Sequence, residues 1–363
     1  MKFYDFADSS TFPEDVNLLL RQSGQQSFFA LPDWYRLIGE FGLDAGFHAT
    51  LMVTDDARLA MACRRGPREA ALLSCTNLYS CEFDVLGDHV DPQALRAFPR
   101  ELVSSAGPLD SVRLEGLNPA SAKYSALLDG MRGAGLVAKA YFAWANWFEE
   151  TEGMEFSQFV STRPSILRNT WKRKHAAITK STRAEYRFHG RGADPDPLIA
   201  IYEKVRGQSW KAAEPYPAFI PNLIRLAARL GALRFGVLMI DSVPVATQFW
   251  IVWARRATIY KLVHAQNSDA LSPGTLLTME MARIVLETDR PTEIDFGRGD
   301  DAYKKLWLTA RRERWGIEAA NPRTWRGLAL SARICAALAR DKVKARRTDR
   351  ETGLGRNSGR PVG

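Results

Sequence analysis

Tyr260-Lys261-Leu262-Val263-His264 and, one short loop later, Leu271-Ser272-Pro273-Gly274-Thr275-Leu276-Leu277 form the stretch from which the fold is read. The first run reads as a strand and the second as the opening of a helix. Ser272 stands where an N-cap belongs. Pro273 takes the first helical position, where its missing N–H removes no helical bond, and Gly274 lets the backbone come close to a ligand. Such a start leaves N–H groups unpaired at the positive end of the helix dipole, so it can hold a diphosphate or a carboxylate. His264 is the one histidine at a strand end beside this loop.

Outward from that stretch, 233–240, 245–253 and 257–264 predict three consecutive strands with tight connections. The helix opened at Ser272 runs to about Glu287. Strands follow at 293–296 and 312–319. Upstream, 197–208 and 217–230 predict helices, and 156–180 is helical with a break at Thr162-Arg163-Pro164. A basic helix over 163–187 carries Arg168, Lys172, Arg173, Lys174, Lys180 and Arg183. The first half repeats this order: helices at 15–22 and from Pro32, a hairpin of 47–54 with 58–64 around Asp55-Asp56, strands at 70–73 and 111–114, helices at 91–105 and 121–134, then a strand over 136–148. Leu51 to Ala60 echoes Leu238 to Ala246, each a strand, an Asp turn and a strand. The expectation is two copies of one αβ unit, 1–150 and 151–325, followed by a basic helix and disordered tail over 326–363.

Composition narrows the classes. The chain has 363 residues, 46% hydrophobic, 10% aromatic and 25% charged, which suits a globular protein and excludes collagen-like or wholly disordered chains. The net charge of +9 is uneven. Arg340 to Gly363 holds eight Arg/Lys against Asp341, Asp349 and Glu351, so the tail carries +5 and the remaining 339 residues only +4. A nearly neutral body argues against a fold built around DNA. The most apolar stretch, 235–254, is interrupted by Asp241, Ser242 and Pro244, so it is no membrane span. The start lacks a basic stretch followed by an apolar run, and Cys63, Cys75, Cys81 and Cys335 form no C-x-x-C pair; reduced thiols and a cytoplasmic location are expected. No P-loop, H-E-x-x-H, Cys/His cluster or G-x-S-x-G elbow occurs, so nucleotide hydrolysis, a zinc site and an α/β-type serine hydrolase are not expected, and no metal is assigned.

A second segment concentrates chemistry: Glu293-Ile294-Asp295-Phe296-Gly297-Arg298-Gly299-Asp300-Asp301-Ala302-Tyr303-Lys304-Lys305-Leu306-Trp307. Its formal G-x-G-x-x-A falls near the end of the folded part, and Asp300-Asp301 would repel a diphosphate, so the dinucleotide reading is rejected. Carboxylates placed just after a strand can serve as general bases, and Lys304 can neutralise an oxyanion.

With these pieces in order, the chain resembles the CelD/BioF-like acetyltransferase domain, a branch of the GNAT superfamily close to the FemAB peptidoglycan aminoacyltransferases. The resemblance covers about residues 28 to 325. It rests on Arg163-Pro164-Ser165-x-Leu167-Arg168-Asn169-Thr170, Leu271 to Leu277 and Asp295 to Trp307, with Thr76-Asn77-Leu78-Tyr79-Ser80 and Asn146-Trp147-Phe148 suiting the companion half. It implies a mixed α+β fold of tandem GNAT-like units, with a mostly antiparallel central sheet flanked by helices. It implies an acyl-CoA donor, acetyl-CoA or longer, held at Ser272, Pro273, Gly274, Thr275 and Leu276. Only Gly274 matches the family's Q/R-x-x-G-x-G/A loop. Tyr303-Lys304-Lys305-Leu306-Trp307 is similar to the F-K-x-x-F element of FemAB enzymes, which makes Lys304 the charge-stabilising residue.

The mechanism implied is direct acyl transfer to an amine, with a small-molecule or glycan acceptor such as a sugar amine or exopolysaccharide precursor. Asp295, Asp300 or Asp301 would take the proton, and Tyr303 or Tyr260 would protonate the thiolate. Tyr260, His264 and Trp307 would contact substrate. FemAB enzymes draw on aminoacyl-tRNA, which gives a second reading in which the basic helix and tail meet RNA. Trp325 to Val343 mixes Leu328, Leu330, Ile334 and Leu338 with Arg326, Arg333, Arg340 and Lys342, so a weak peripheral contact with the inner membrane face through 326–363 is a further expectation, as is a non-catalytic partner role.

Overall fold

The computed structural model describes residues 1–363 except 67–69, 88–91, 106–108, 182–183 and 355–363. His89 and Arg183 lie outside the described residues, as does the end of the tail. The first half runs β1 (Lys2–Asp5), α1 (Glu14–Gln26), α2 (Pro32–Phe41), β2 (His48–Val53), β3 (Ala60–Arg65), β4 (Ala71–Ser74), α3 (Pro92–Ser105), β5 (Ser111–Leu117), α4 (Ala122–Gly133) and β6 (Val137–Glu150). The second runs α5 (Phe156–Ser161), α6 (Ser165–Ser181), β7 (Ala184–His189), α7 (Pro195–Gly207), α8 (Phe219–Arg229), β8 (Leu233–Ile240), β9 (Val243–Trp253), β10 (Arg256–His264), α9 (Pro273–Thr288), β11 (Glu293–Asp295), β12 (Ala310–Ala320) and α10 (Trp325–Leu354).

The echoing segments do form matching hairpins, β2 with β3 and β8 with β9. In each half the third meander strand leads through a helix to a parallel neighbour, β4 to β5 and β10 to β11. Elsewhere the pairing is antiparallel. Among the described residues, twelve strands join one sheet in the order β1-β2-β3-β4-β5-β12-β6-β11-β10-β9-β8-β7. The last strand of each half has crossed over: β12 pairs with β5, β6 pairs with β11, and the two pair with each other along their length.

Three elements depart from the sequence reading. Residues 184–187, read as the end of the basic helix, belong to β7. Glu185 and Arg187 are exposed while Ala184, Tyr186 and Phe188 are partly covered, the alternation of an edge strand. The short β1, which carries no strong pattern, adds to the free edge of β2. The C-terminal helix also continues to Leu354, so 344–354 is helix where a disordered tail was expected.

Helices cover the second-half sheet on both faces. Leu276, Leu277, Met281 and Val285 of α9 pack against Leu238, Ala246 and Trp250 on one face. On the other, α7 and α8 bury Tyr202, Phe219 and Leu223 in a cluster that runs on into the first half. There Tyr79 stacks on Phe219 at 4.2 Å, and Trp34 meets the same ring edge-on at 5.7 Å. The two halves therefore share apolar core as well as sheet.

An ion cluster closes the seam. Glu82, from the first half, accepts from Arg256 at 3.0 Å, from Arg314 at 2.7 Å and from the Ser27 hydroxyl. Arg256 and Arg312 also bind Glu293, at 2.9 and 2.6 Å. Burial opposes the charge on Glu82, but Arg256 first and then Arg314, Ser27 and Arg312 outweigh it and hold the carboxyl down at about 2, against an ordinary 4.5. A carboxylate depressed on folding stabilises the folded state above its unfolded pKa and loses that contribution as pH falls. Glu82 is therefore expected to contribute on the order of 3 kcal/mol above pH 4.5, lost between about pH 5 and 2. In denaturant titrations across that range, Glu82→Gln should be destabilised at pH 7 and show a flatter acid limb. A wild-type limb retained by the variant would contradict this.

Candidate active site

The sheet opens where β10 outruns β11. The two pair only at Arg256↔Glu293, Ala257↔Ile294 and Thr258↔Asp295. β10 continues to His264, held on its other edge by β9 with a bulge between Ile259 and Lys261. Beyond Asp295 the chain turns away through Gly297 and Gly299, whose φ values of 63° and 115° suit glycine. First-half residues fix that turn. The Phe296 N–H donates to Trp147 O and the Gly299 N–H to Ala145 O, each at 2.9 Å, while Trp147 Nε1 donates to Asp300 at 2.8 Å.

Two adjoining cavities lie along the opening. A wide one of about 480 Å³ reaches the start of α9, and a narrow one of about 150 Å³ lies between β10 and the turn; Lys211, Leu262 and Tyr303 line both. Ser272, Pro273, Gly274, Thr275, His264, Asp301 and Trp307 face the wide cavity. Tyr260 and Lys304 face the narrow one.

Several sequence-derived assignments need correction. Leu276 does not reach either cavity: it is buried in the core beneath α9, because its place in the first turn directs it at the sheet. Ser272 precedes α9 in the left-handed region, φ 53°, and its hydroxyl makes no capping bond. Thr275 and Leu276 donate instead to Ser272 O, at 3.0 and 3.2 Å. Pro273 has no N–H, so Gly274 is left with the first-turn donor lacking an intrahelical acceptor. Asp295 lies in the core, bound to Arg312, to Asn146 Nδ2 at 2.7 Å and to the Gly297 N–H at 2.6 Å. Asp300 is held by Arg311 at 2.9 Å and by Trp147. Asp301 is the member of the acidic trio that lines the wide cavity.

Lys304 is buried with a fully engaged ammonium, donating to Arg298 O at 2.8 Å and Gly299 O at 3.4 Å and pairing with Asp301 at 3.3 Å. It presents fixed charge more than a free donor. The Tyr260 hydroxyl is spent on Tyr79 O at 2.7 Å, and burial raises its pKa well above the usual value. Tyr303 stands edge-on to Phe296, and burial, with the Asp301 charge, pushes its hydroxyl up to about 12. His264 Nε2 meets Asp269 at 2.9 Å.

Of the other site residues, Lys211 and Glu214 carry no local signal in the sequence, and Arg298 stands in the quoted segment 293–307 without an assigned role. Lys211 lies in the loop between α7 and α8, donating to Leu262 O at 2.6 Å; burial lowers its pKa, and Lys261 and Arg206 add to the shift. Glu214, from the same loop, binds Lys261 at 2.9 Å and the Tyr79 hydroxyl at 2.7 Å. Arg298 donates to Asn77 O at 2.9 Å and lies 3.9 Å over the Trp144 ring. The motif segments 76–80 and 146–148 of the first half thus wall and anchor the site of the second.

The glycines provide a test. A methyl on Gly299 would stand 3.0 Å from Asp301 and 3.1 Å from Lys304, on a backbone of φ 115°, whereas one on Gly274 meets only Leu262 at 3.3 Å and His264 at 3.6 Å. Gly299→Ala is expected to cost about 1–3 kcal/mol in chemical denaturation. Gly274→Ala should stay within about 1 kcal/mol of the parent while filling part of the wide cavity. Equal stability of the two variants would contradict the strained turn.

Residues 165–305 match the family model described as an acetyltransferase (GNAT) domain. No curated protein matches the chain by sequence. Among solved structures, the fold is similar to FemX, with a TM-score of 0.58 at 10% identity over 87% of this chain and 97% of that one. It is also similar to the C-terminal domain of a protein described as a lysylphosphatidylglycerol synthetase from Agrobacterium fabrum, with a TM-score of 0.55 at 15% identity over 87% and 95%. L-PGS from Bacillus licheniformis gives a TM-score of 0.54 at 11% identity over 90% and 95%. At these identities the likeness to the solved structures speaks for the fold alone, and the family model places a GNAT-type acetyltransferase domain over residues 165–305.

Proposed function

We propose that the protein transfers an acyl group from acyl-CoA to an amine within one ternary complex. The observation that carries this reading is the three-residue pairing of β10 with β11. It leaves the β10 edge from Tyr260 onward open to an extended donor arm, and that edge leads from the start of α9 to Tyr303 and Lys304. A diphosphate would meet the Gly274 N–H and the positive end of α9. Lys174, which donates to Ala270 O on the loop before α9, adds charge there.

The acceptor nitrogen attacks the thioester carbonyl, Asp301 takes its proton, the C–N bond forms and the C–S bond breaks as the thiolate leaves. Backbone N–H groups of β10 and the fixed charge of Lys304 meet the oxyanion. Tyr303, protonated at neutral pH, donates a hydrogen bond toward the sulfur. No nucleophile on the protein is required. A sugar amine or an exopolysaccharide precursor fits the acceptor role.

A second reading has one observation in its favour: Asp269 and Asp301 line the wide cavity beside the start of α9, where a diphosphate would meet their charge. An aminoacyl donor, as the resemblance to FemAB enzymes implies, avoids that conflict at the cavity. Thermal shifts with acetyl-CoA, longer acyl-CoAs and free CoA separate the two. Under the first reading, CoA at 100 times its Kd should stabilise the fold by about 2.7 kcal/mol. No shift, together with RNA binding that weakens steeply with salt, would transfer the assignment to the second. Lys304→Ala should lower turnover about 100- to 1000-fold with the CoA shift retained; undiminished turnover would remove Lys304 from the mechanism.

Among the described residues, no helix is long and apolar enough to cross a membrane. We also propose peripheral contact through α10, where exposed Trp325, Leu328 and Val343 accompany Arg326, Arg333 and Arg340. Pelleting with anionic liposomes should be lost on deleting 326–363; pelleting that persists would rule out this part of the reading.

A further inference from the structure

The narrow cavity is lined by four cationic side chains, Lys211, Lys261, Arg298 and Lys304, and by no carboxylate. Two of the four are neutralised from behind, Lys261 by Glu214 at 2.9 Å and Lys304 by Asp301 at 3.3 Å. The other two form no direct ion pair, although Glu214 and Asp301 act on Lys211 and Glu115 on Arg298 from farther off. Among the described residues, no carboxylate comes within ion-pairing distance of Lys211 or Arg298. Lys211 has only the Leu262 carbonyl, and Arg298 the Asn77 carbonyl and the Trp144 ring. Charges withdrawn from water in this way are costly unless a counter-charge joins them.

We infer that the narrow cavity is an anion subsite and that the acceptor is an amine bearing a carboxylate or phosphate. This deepens the transfer reading above and rests on it. The charges along the cleft give the orientation. Asp301 lines the wide cavity and Lys211 and Arg298 the narrow one, with Tyr303 lining both. An acceptor that places its nitrogen by Asp301 puts a nearby anionic group between Lys211 and Arg298. The cavity, about 150 Å³, has room for a carboxylate or phosphate with its first carbons. The planar guanidinium of Arg298 offers two parallel donors to such an oxyanion, and Lys211 supplies a point charge.

The test uses the full chain and isothermal titration. The probes are glycine, β-alanine, phosphoethanolamine and glucosamine 6-phosphate, each against a neutral counterpart: glycinamide, propylamine, ethanolamine and glucosamine. Inorganic phosphate and acetate probe the subsite itself. The charged amines are expected to bind at least about tenfold more tightly than their counterparts, and the carboxylate and phosphate arms separate the two anion types. Arg298→Gln and Lys211→Met should each weaken binding about 10- to 100-fold. Arg298→Gln should retain the CoA thermal shift, since Arg298 lies neither on the β10 edge nor at the start of α9 where the diphosphate is placed. Should that variant fail to fold, Lys211→Met decides. Equal binding of charged and neutral amines, or charged binding that survives both substitutions, overturns the inference. If charged amines bind while CoA gives no shift, the donor reading fails and the anion subsite stands. If CoA binds and no anion does, the subsite alone fails.

Discussion

The exchange of two strands holds the site open. β6 occupies the edge of β11 that faces away from β10, and β12 lies beyond it, so β11 is anchored by the first half over all three of its residues. The same contacts continue into the turn that follows, through Trp147 O, Ala145 O, Asn146 and the Trp147 indole. Pulled toward β6, the chain after Asp295 has no route along β10, and the sheet parts. β6 and β10 each pair with all three residues of β11, and the gap opens because the β6 side alone goes on binding the chain, through Phe296 and Gly299. The Glu82–Arg256–Glu293–Arg312 cluster lies on this seam and ties first-half segments to the strands that define the opening.

Local pattern was enough for the elements whose signals are local. The Asp turns of both hairpins, the Gly231 stop after α8 and the Ser272-Pro273 start of α9 each depend on a few neighbouring residues, and each was legible. The exchange was not. Nothing in 310–320 or 137–150 says which partner the strand will choose, because each reads simply as a strand and the register is settled by contacts far apart in sequence. β7 was lost for a related reason: Ala184 to His189 follows a basic helix without a turn signal, and its alternation is too short to outweigh the helical pattern before it. Propensity yields there to the free edge of β8, which it pairs with over six residues.

The site was half legible on the same grounds. Residues adjacent to a motif, Gly274, Asp301, Tyr303 and Lys304, could be found because the motif marks them. Sequence proximity also drew in Leu276, Asp295 and Asp300, whose side chains turn to the core, to Arg312 and to Arg311. Lys211 and Glu214 come from a connecting loop whose composition resembles any polar loop. Arg298 stood within the quoted motif, yet its importance depends on Trp144 and Asn77, more than 150 positions away. A carboxylate's availability is a property of its partners, and the partners here come from the other half of the chain.

That dependence bears on why two similar units are joined. If the first half were only a vestigial copy, its contacts with the cleft would be apolar filler. Instead its loop 76–81 supplies the carbonyls that fix Arg298 and Tyr260, and the ring over which Lys261 lies at 5.0 Å. Tyr79 also shares Glu214 with Lys261, so a first-half hydroxyl binds the carboxylate that neutralises one cavity cation. The cations of the narrow cavity are thus sorted into paired and unpaired by groups from both halves. The contrast between a cleft end that carries carboxylates and an end that carries paired and unpaired cations therefore arises at the interface of the two halves.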